Sequence, residues 1–362
     1  MYKKQNKFFS NHIYEQYENE DNFLYQLDQL LDWPDLIDQV RELAENEEGG
    51  RPRWSPETMT KMLILAFLYD RSDREMEQMT TDNIRVKHFL GIEIHRLGPG
   101  HTSLSRFRTE IVNQLGENFI ENLLVKILIQ AREAGIEFGR LYAMDATDTE
   151  SRINGAKDSR EVKQGEREKS KDEDAAWGVK TTKTKLDKDG SEVKVPDYFF
   201  GYKVQALCET EHGLVTKNHT TPGNTADIDG GDELIDKHLT KEQIDQIDTL
   251  TADKGYASGV WINILEQDEN INTAFSLPET MTDKGEHQQR WTEYMEDEDR
   301  KEDYKQRSTI ERIFSDVKRN HGLNRSRYIG KAKTHLQATL TMLAHNLKRI
   351  VKVLTGVRFK PI

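Results

Sequence analysis

The sequence predicts a mixed α/β domain preceded by an all-helical region. In the first third of the chain apolar residues recur at helical spacing. From about Leu141 they gather instead into short runs bounded by turns, with helical patterns between them, the texture of a mixed sheet flanked by helices. At 362 residues the chain has room for two or three domains. The expected partition is an acidic helical segment over 1–50, a helical region over 51–135, an α/β domain over 140–350 with a charged insertion at about 155–195, and a basic tail over 351–362.

Leu24, Leu27, Leu30 and Leu31, then Leu36, Ile37 and Val40, mark a pair of short helices between Phe23 and Leu43, broken at Trp33-Pro34. A linker follows at Glu48-Gly49-Gly50-Arg51-Pro52. Ser55-Pro56-Glu57 then reads as an N-cap with Pro at the first helical position. The helix it opens runs through Met59, Met62, Leu63, Leu65, Ala66 and Leu68, and further short helices extend to about Ile92. After Gly98-Pro99-Gly100, His101 to Arg108 opens another, with Arg106 and Arg108 in its early turns. Short helices ending in a basic one fit a helix-turn-helix module facing DNA through Arg106 and Arg108. They fit a small helical bundle with no such role equally well.

The strand candidates are Leu141 to Ala143, Phe199 to Leu207, Leu214 to His219, Ile247 to Thr251 and Ile271 to Phe275, five in all. Helical spacing recurs at Asp227 to Leu239 and at Ser258 to Glu266. The charged run from Asp158 to Asp174 reads as a surface insertion or solvated loop. Cys208, the single cysteine, has no partner for an internal disulfide and reads as a small apolar strand residue.

A formal net charge of −12 argues against a nucleic-acid partner, because neutralising phosphates requires Lys and Arg. The charge is segregated, however. Acids crowd into the first fifty positions and into Glu293 to Asp303, whereas residues 304–362 hold fourteen Lys and Arg against two acids, Glu311 and Asp316. No apolar stretch reaches the ~18 residues of a membrane span, and the first residues lack the pattern of a signal peptide. A cytoplasmic protein is expected.

Asp145 follows Leu141-Tyr142-Ala143-Met144, and Asp253 follows Leu250-Thr251-Ala252. Each is therefore expected at or near a strand end, where its carboxylate can face a shared crevice; a turn or cap Asp has the same setting. Tyr304, Arg307, Glu311 and Lys318, if carried on one helix at roughly 100° per residue, project within an arc of about 60°. Ile310, Ile313, Phe314 and Val317 occupy the adjacent face. Alone, this describes an amphipathic helix with a surface Arg307–Glu311 pair.

The string from Tyr304 to Lys318, YKQRSTIERIFSDVK, followed by Gly322-Leu323 and Arg325 to Gly330, resembles the Tyr-Arg-Glu-Lys signature of DDE-type insertion-sequence transposases. Met144-Asp145-Ala146-Thr147 resembles that family's first aspartate motif and Ala252-Asp253-Lys254-Gly255-Tyr256 its second. Trp54 to Arg108 resembles its helical N-terminal domain, and Ala175 to Gly178 with Gly201-Tyr202-Lys203 fits its central region. Asp148 is a rival for the first position, though the motif favours Asp145.

The resemblance implies an RNase H-like core with a five-stranded mixed sheet, and a catalytic triad of Asp145, Asp253 and Glu311 holding two Mg²⁺ or Mn²⁺ ions. Three carboxylates without His or Cys are the donors that such hard cations take. It also implies cleavage at transposon ends and strand transfer into target DNA. The terminal inverted repeats and target DNA would be the partners, two chains would meet in the DNA complex, and the protein would associate with the nucleoid. Tyr304, Arg307, Lys318, Arg319, Arg325, Arg327, Lys254, Arg106 and Arg108 are the expected DNA contacts, with Arg312, Lys331 and Lys333 along the same path. Two alternatives share the motifs: a transposase-derived DNA-binding protein without activity, and an RNase H-like nuclease without strand transfer.

Overall fold

The computed structural model describes residues 12–41, 53–116, 118–166, 168–186, 189, 191–282 and 288–361. The expected linker at Glu48 to Pro52 and the acids Glu42, Glu45 and Glu47 lie outside them. The chain divides into two compact units, one of Met1–Glu137, Asn320–Gly322 and Thr339–Ile362, the other of Phe138–Arg319 and Leu323–Ala338.

The helical unit contains α1 (Phe23–Leu30), α2 (Trp33–Leu36), α3 (Asp38–Arg41), α4 (Pro56–Leu68), α5 (Asp73–Asp82), α6 (Ile84–Phe89), α7 (His101–Glu110) and α8 (Asn118–Glu133). Trp33-Pro34 separates α1 from α2 by opening the second helix, where Pro needs no hydrogen-bond partner. Ser55 Oγ accepts the Thr58 N–H at 3.1 Å, so α4 starts where the sequence places it. Nearly every α4 residue is buried, which makes it the central helix. Ser72 and Glu75 close a capping box on α5. The 351–362 segment, expected as a separate basic tail, belongs to this unit: Phe359 packs on Phe23 and Tyr69 at 5.1 and 5.0 Å between ring centroids.

The second unit carries β1 (Leu141–Glu150), α9 (Gly155–Lys163), β2 (Ala176–Leu186), β3 (Glu192–Glu209), β4 (Leu214–Pro222), α10 (Asp227–His238), α11 (Lys241–Ile244), β5 (Thr249–Ala252) and α12 (Gly259–Asn263). It continues through β6 (Asn272–Phe275), α13 (Glu279–Thr282), α14 (Gln288–Glu296), α15 (Glu298–Lys305) and α16 (Ser308–Asn320). The last helix, α17 (Lys331–Thr355), begins in this unit and ends in the helical one. The strands form one sheet in which β4-β3-β1 run antiparallel and β1-β5-β6 parallel, the strand order of an RNase H-like core flanked by helices. Tyr142, Met144, Leu207, Leu250 and Phe275 from the sheet pack with Leu234 and Ile235 of α10, Trp261 and Ile262 of α12, and Trp291 and Tyr294 of α14.

A sixth strand corrects the expectation of five. The first half of β3 runs on past the core and pairs with β2, within the segment expected to be a charged insertion. From Val179 to Lys185 the sequence mixes Lys with β-branched residues and offers no apolar face, so periodicity could not reveal β2. The charged run before it is also ordered by α9 and by a buried carboxylate. Asp172 accepts hydrogen bonds from Ser151 Oγ and Tyr202 Oη, each at 2.5 Å, and from the Gly330 N–H at 3.2 Å. It thereby ties this segment to β3, to the residue after β1 and to the approach to α17. Asp172→Ala leaves these donors without an acceptor and is expected to destabilise the unit by about 3 kcal/mol; a urea denaturation midpoint equal to wild type would show the carboxylate to be dispensable.

Candidate active site

Asp145 lies in the middle of β1, opposite Ala206 of β3, rather than at a strand end as expected. The strand end that matters belongs to its other neighbour. The parallel register pairs Ala143 with Thr251, and β5 stops at Ala252, so continuing it by two residues brings Asp253 beside Asp145 at the point where β5 leaves the sheet. Asp253 Oδ1 turns back to accept the Gly255 N–H at 2.7 Å. A Cβ at Gly255 would stand 2.9 Å from that oxygen and 3.4 Å from Asp227 Oδ2, so the residue type here is set by close approach to two carboxylates.

The third carboxylate arrives through a corner between helices. Tyr304, Arg307, Glu311 and Lys318 do not share one continuous helix, which corrects the single-face reading. Tyr304 is on α15, Arg307 is in the turn, and Glu311 and Lys318 occupy the first and last turns of α16. The corner is fixed on one side by Arg300, which lies over the Tyr294 ring at 4.2 Å and pairs with Glu266 at 2.8 Å. On the other side Ile310, Ile313, Phe314 and Val317 are buried as their spacing predicts. Arg307 then reaches both remaining carboxylates, at 3.7 Å from Asp145 Oδ2 and 2.5 Å from Glu311 Oε1, with its guanidinium 5.7 Å from the Tyr304 ring.

Asp227, the first residue of α10, is a fourth carboxylate at this place, and sequence reasoning missed it. Lys203 of β3 holds its Oδ1 at 2.6 Å. The signal available was Lys203 in the Gly201-Tyr202-Lys203 segment; nothing in the spacing linked it to Asp227. Burial is the largest influence on Asp145 and, with the charges of Asp253 and Asp227, raises its pKa to about 7 against the opposing pull of the Ala146 N–H and Arg307. The rival Asp148 is differently placed. It pairs with Lys318 at 2.8 Å and Lys180 at 2.9 Å; burial would push its carboxyl up, but the two ammonium groups outweigh burial and hold it below the usual range.

The donor set suits hard divalent cations, being carboxylate oxygens alone. Arg307 meanwhile supplies positive charge between Asp145 and Glu311.

The other residues expected at DNA are scattered. Lys254, Arg106 and Arg319 are exposed. Arg325 donates to the backbone carbonyls of Ser151 and Arg152, each at 3.1 Å, beside a bridge from Arg325 to Glu150. The Arg327 N–H donates to Gln337 at 2.7 Å, and Lys331 and Lys333 are half-buried where α17 begins. Lys318 is engaged by Asp148, and Arg312 donates to Thr309 Oγ1 at 2.9 Å. Arg108 is corrected: it is buried and forks onto Asp73 at 3.0 and 2.8 Å, an internal bidentate pair of the helical unit, so its guanidinium is not presented to a partner.

Among the described residues no helix is long and apolar enough to cross a membrane. No curated protein matches the sequence. The fold has a likeness to the cryo-EM structure of a piggyBac transposase synaptic complex with hairpin DNA, at 11% identity and a TM-score of 0.40, covering 90% of this chain and 73% of that one. A family profile described as a transposase domain matches residues 12–110. A second, described as the transposase DDE domain, matches residues 138–347. That match takes in more than half of the sequence, including Asp145, Asp227, Asp253 and Glu311, and the chain therefore belongs to the DDE transposase family.

Proposed function

We propose that this chain is an active transposase that cuts DNA at the ends of an insertion sequence and joins the freed ends to target DNA, with Asp145, Asp253 and Glu311 as its catalytic carboxylates. The observation supporting this is the Asp145–Asp253 register together with the Arg307 bridge to Glu311. Residues 108 and 58 positions apart in sequence, 145 to 253 and 253 to 311, meet in one acidic locus. Asp145, Asp253 and Glu311 would together hold divalent Mg²⁺ or Mn²⁺, two ions in all. Bound there, the ions supply a nucleophilic oxygen and offset charge at the phosphorus.

The protein's own residues have separate tasks. Asp145 must lose its proton, and the carboxylates must give up Arg307. Released, Arg307 can fork onto a phosphate oxygen pair, and the Tyr304 ring beside it can stack on a base or sugar. Asp227 with Lys203 holds the start of α10 against the turn carrying Asp253 and acts as a positioning pair. Lys254 and Arg319, both exposed, contact the phosphate backbone through salt-sensitive interactions. Arg106 can do the same from the helical unit. Two transposon ends joined in one reaction call for two chains in the DNA complex.

The decisive experiment is cleavage of labelled DNA carrying the element's terminal repeats, with Mg²⁺ or Mn²⁺. Wild type is expected to cut at the boundary and to join the ends, while Asp145→Ala, Asp253→Ala and Glu311→Ala bind without cutting. Binding without any cutting by wild type would favour the inactive DNA-binding reading, and cutting without joined products a simple nuclease. Asp227→Asn is expected to slow cleavage roughly 10–100-fold, the usual effect of disturbing a group behind metal ligands. An unchanged rate would leave Asp227 as a helix-start residue only. Arg307→Gln should weaken binding to the ends and reduce its salt dependence, whereas an unchanged salt slope would remove Arg307 from the phosphate contacts.

The raised pKa of Asp145 sets a pH dependence for the metal-free protein. Between its unfolded value near 4 and its folded value of about 7, the folded state holds the proton and the unfolded state does not, so this group makes stability fall as pH rises through that window. Asp145→Asn is expected to melt above wild type by a margin that grows from pH 4 to pH 7 and then levels off. A margin independent of pH would show that Asp145 ionises normally.

A further inference from the structure

A second cluster of metal-ligating side chains stands apart from the carboxylates, on β4 and the later turns of α10. We propose that His219, Glu233 and His238 form a site for a borderline transition-metal ion such as Zn²⁺, which ties the end of α10 to β4. Their ligand atoms all lie within 4.8 Å of one another, and among the described residues this is the one such group of three. His219 Nε2 stands 3.4 Å from Glu233 Oε2. Two ligands each bound at about 2.0–2.1 Å to a tetrahedral ion are separated by about the same distance.

The chemistry of the donors selects the ion. Two imidazoles with one carboxylate match Zn²⁺ and its neighbours, whereas Mg²⁺ and Mn²⁺ prefer the all-oxygen site. His219 is buried and its Nδ1 makes no hydrogen bond. Neither neutral tautomer suits it. With the proton on Nδ1, the Nε2 lone pair faces a carboxylate oxygen; with the proton on Nε2, the Nδ1 lone pair is buried without a donor. A cation between Nε2 and Glu233 removes the first conflict.

The His238 ring lies tilted beside that of His219, at 4.1 Å between centroids and 30° between planes. It is half-buried on the last residue of α10, so a change of rotamer can bring a nitrogen to a shared ion. Lys237 holds the other Glu233 oxygen at 3.3 Å, leaving Oε2 as the ligand. His335, whose ring is 6.4 Å from that of His219, pairs with Thr220 and stands behind the site. A water would fill the fourth position. Because α10 begins at Asp227, such an ion would anchor the far end of the helix that borders the carboxylates.

The test uses the full chain without a polyhistidine tag, stripped with chelator and titrated with Co²⁺ followed by Zn²⁺. Wild type is expected to take one equivalent of Co²⁺ with the visible bands of a four-coordinate site, to lose them to Zn²⁺, and to melt higher with Zn²⁺. Glu233→Gln and His238→Gln, at half-buried positions that keep the fold, should each weaken binding at least tenfold and abolish the Zn²⁺ shift. The triple variant Asp145→Asn, Asp253→Asn, Glu311→Gln should bind as wild type does. Absence of a stoichiometric Co²⁺ complex, undiminished affinity in either single variant, or loss of binding in the triple variant would each overturn the proposal.

Discussion

Like charge gathered in a half-buried place is the constraint on which the rest of the α/β unit depends. Burial above all, with the charges of Asp253 and Asp227 beside it, makes Asp145 hold its proton to about pH 7. Carboxylates drawn from water disfavour ionisation unless positive charge is brought to them. The fold brings two cations, Arg307 between Asp145 and Glu311 and Lys203 on Asp227. Four carboxylates thus face two cations, and that imbalance is what the proposed divalent ions would offset.

Each carboxylate is delivered by a different structural device, which is why the locus can be rigid. Asp145 sits on the central strand, paired on one side with β3 along its whole length. Asp253 is placed by the early end of β5, Asp227 by the start of α10, and Glu311 by a helix corner that Arg300 and an apolar stripe fix from opposite sides. The protruding half of β3, with β2, adds Lys180 to the neighbourhood of Asp148, so that this second aspartate of β1 is neutralised by two lysines. Two aspartates three residues apart on one strand thus acquire opposite characters, one protonated near neutrality and one firmly ionised. Their surroundings account for the difference.

Much of this was legible in the sequence because it follows from periodicity. All five expected strands are present, the Ser55 cap is made, and the buried stripe of α16 is the one its spacing predicts. Asp145 and Asp253 each follow an apolar run, a setting that a turn or cap Asp shares, and it was the resemblance of their segments to family motifs that singled them out. What escaped was set by tertiary contact. The break between α15 and α16 leaves no Gly or Pro behind, and β2 has no apolar face. Asp227 looks like any acid at a helix start until Lys203 and Gly255 are seen against it. Arg108 looks like a surface cation until Asp73, 35 residues earlier, is found beneath it.

The same distinction governs what the net charge of −12 means for binding DNA. A formal sum weights every cation equally, yet Arg108, Lys61 and Lys318 are held by Asp73, Asp28 and Asp148 at 2.6–2.8 Å and offer little to a phosphate. Within the acidic stretch from Glu293 to Asp303, Arg300 holds Asp297 at 3.7 Å, while most of the acids remain exposed. What a polyanion would meet is a local field, and locally the acidic locus repels phosphate until cations are added. On the proposed reading, divalent ions held by these carboxylates would reverse that sign and leave Arg307 available to the DNA. An acidic protein and an anionic substrate are compatible on those terms, because the positive charge that joins them need not be written in the sequence.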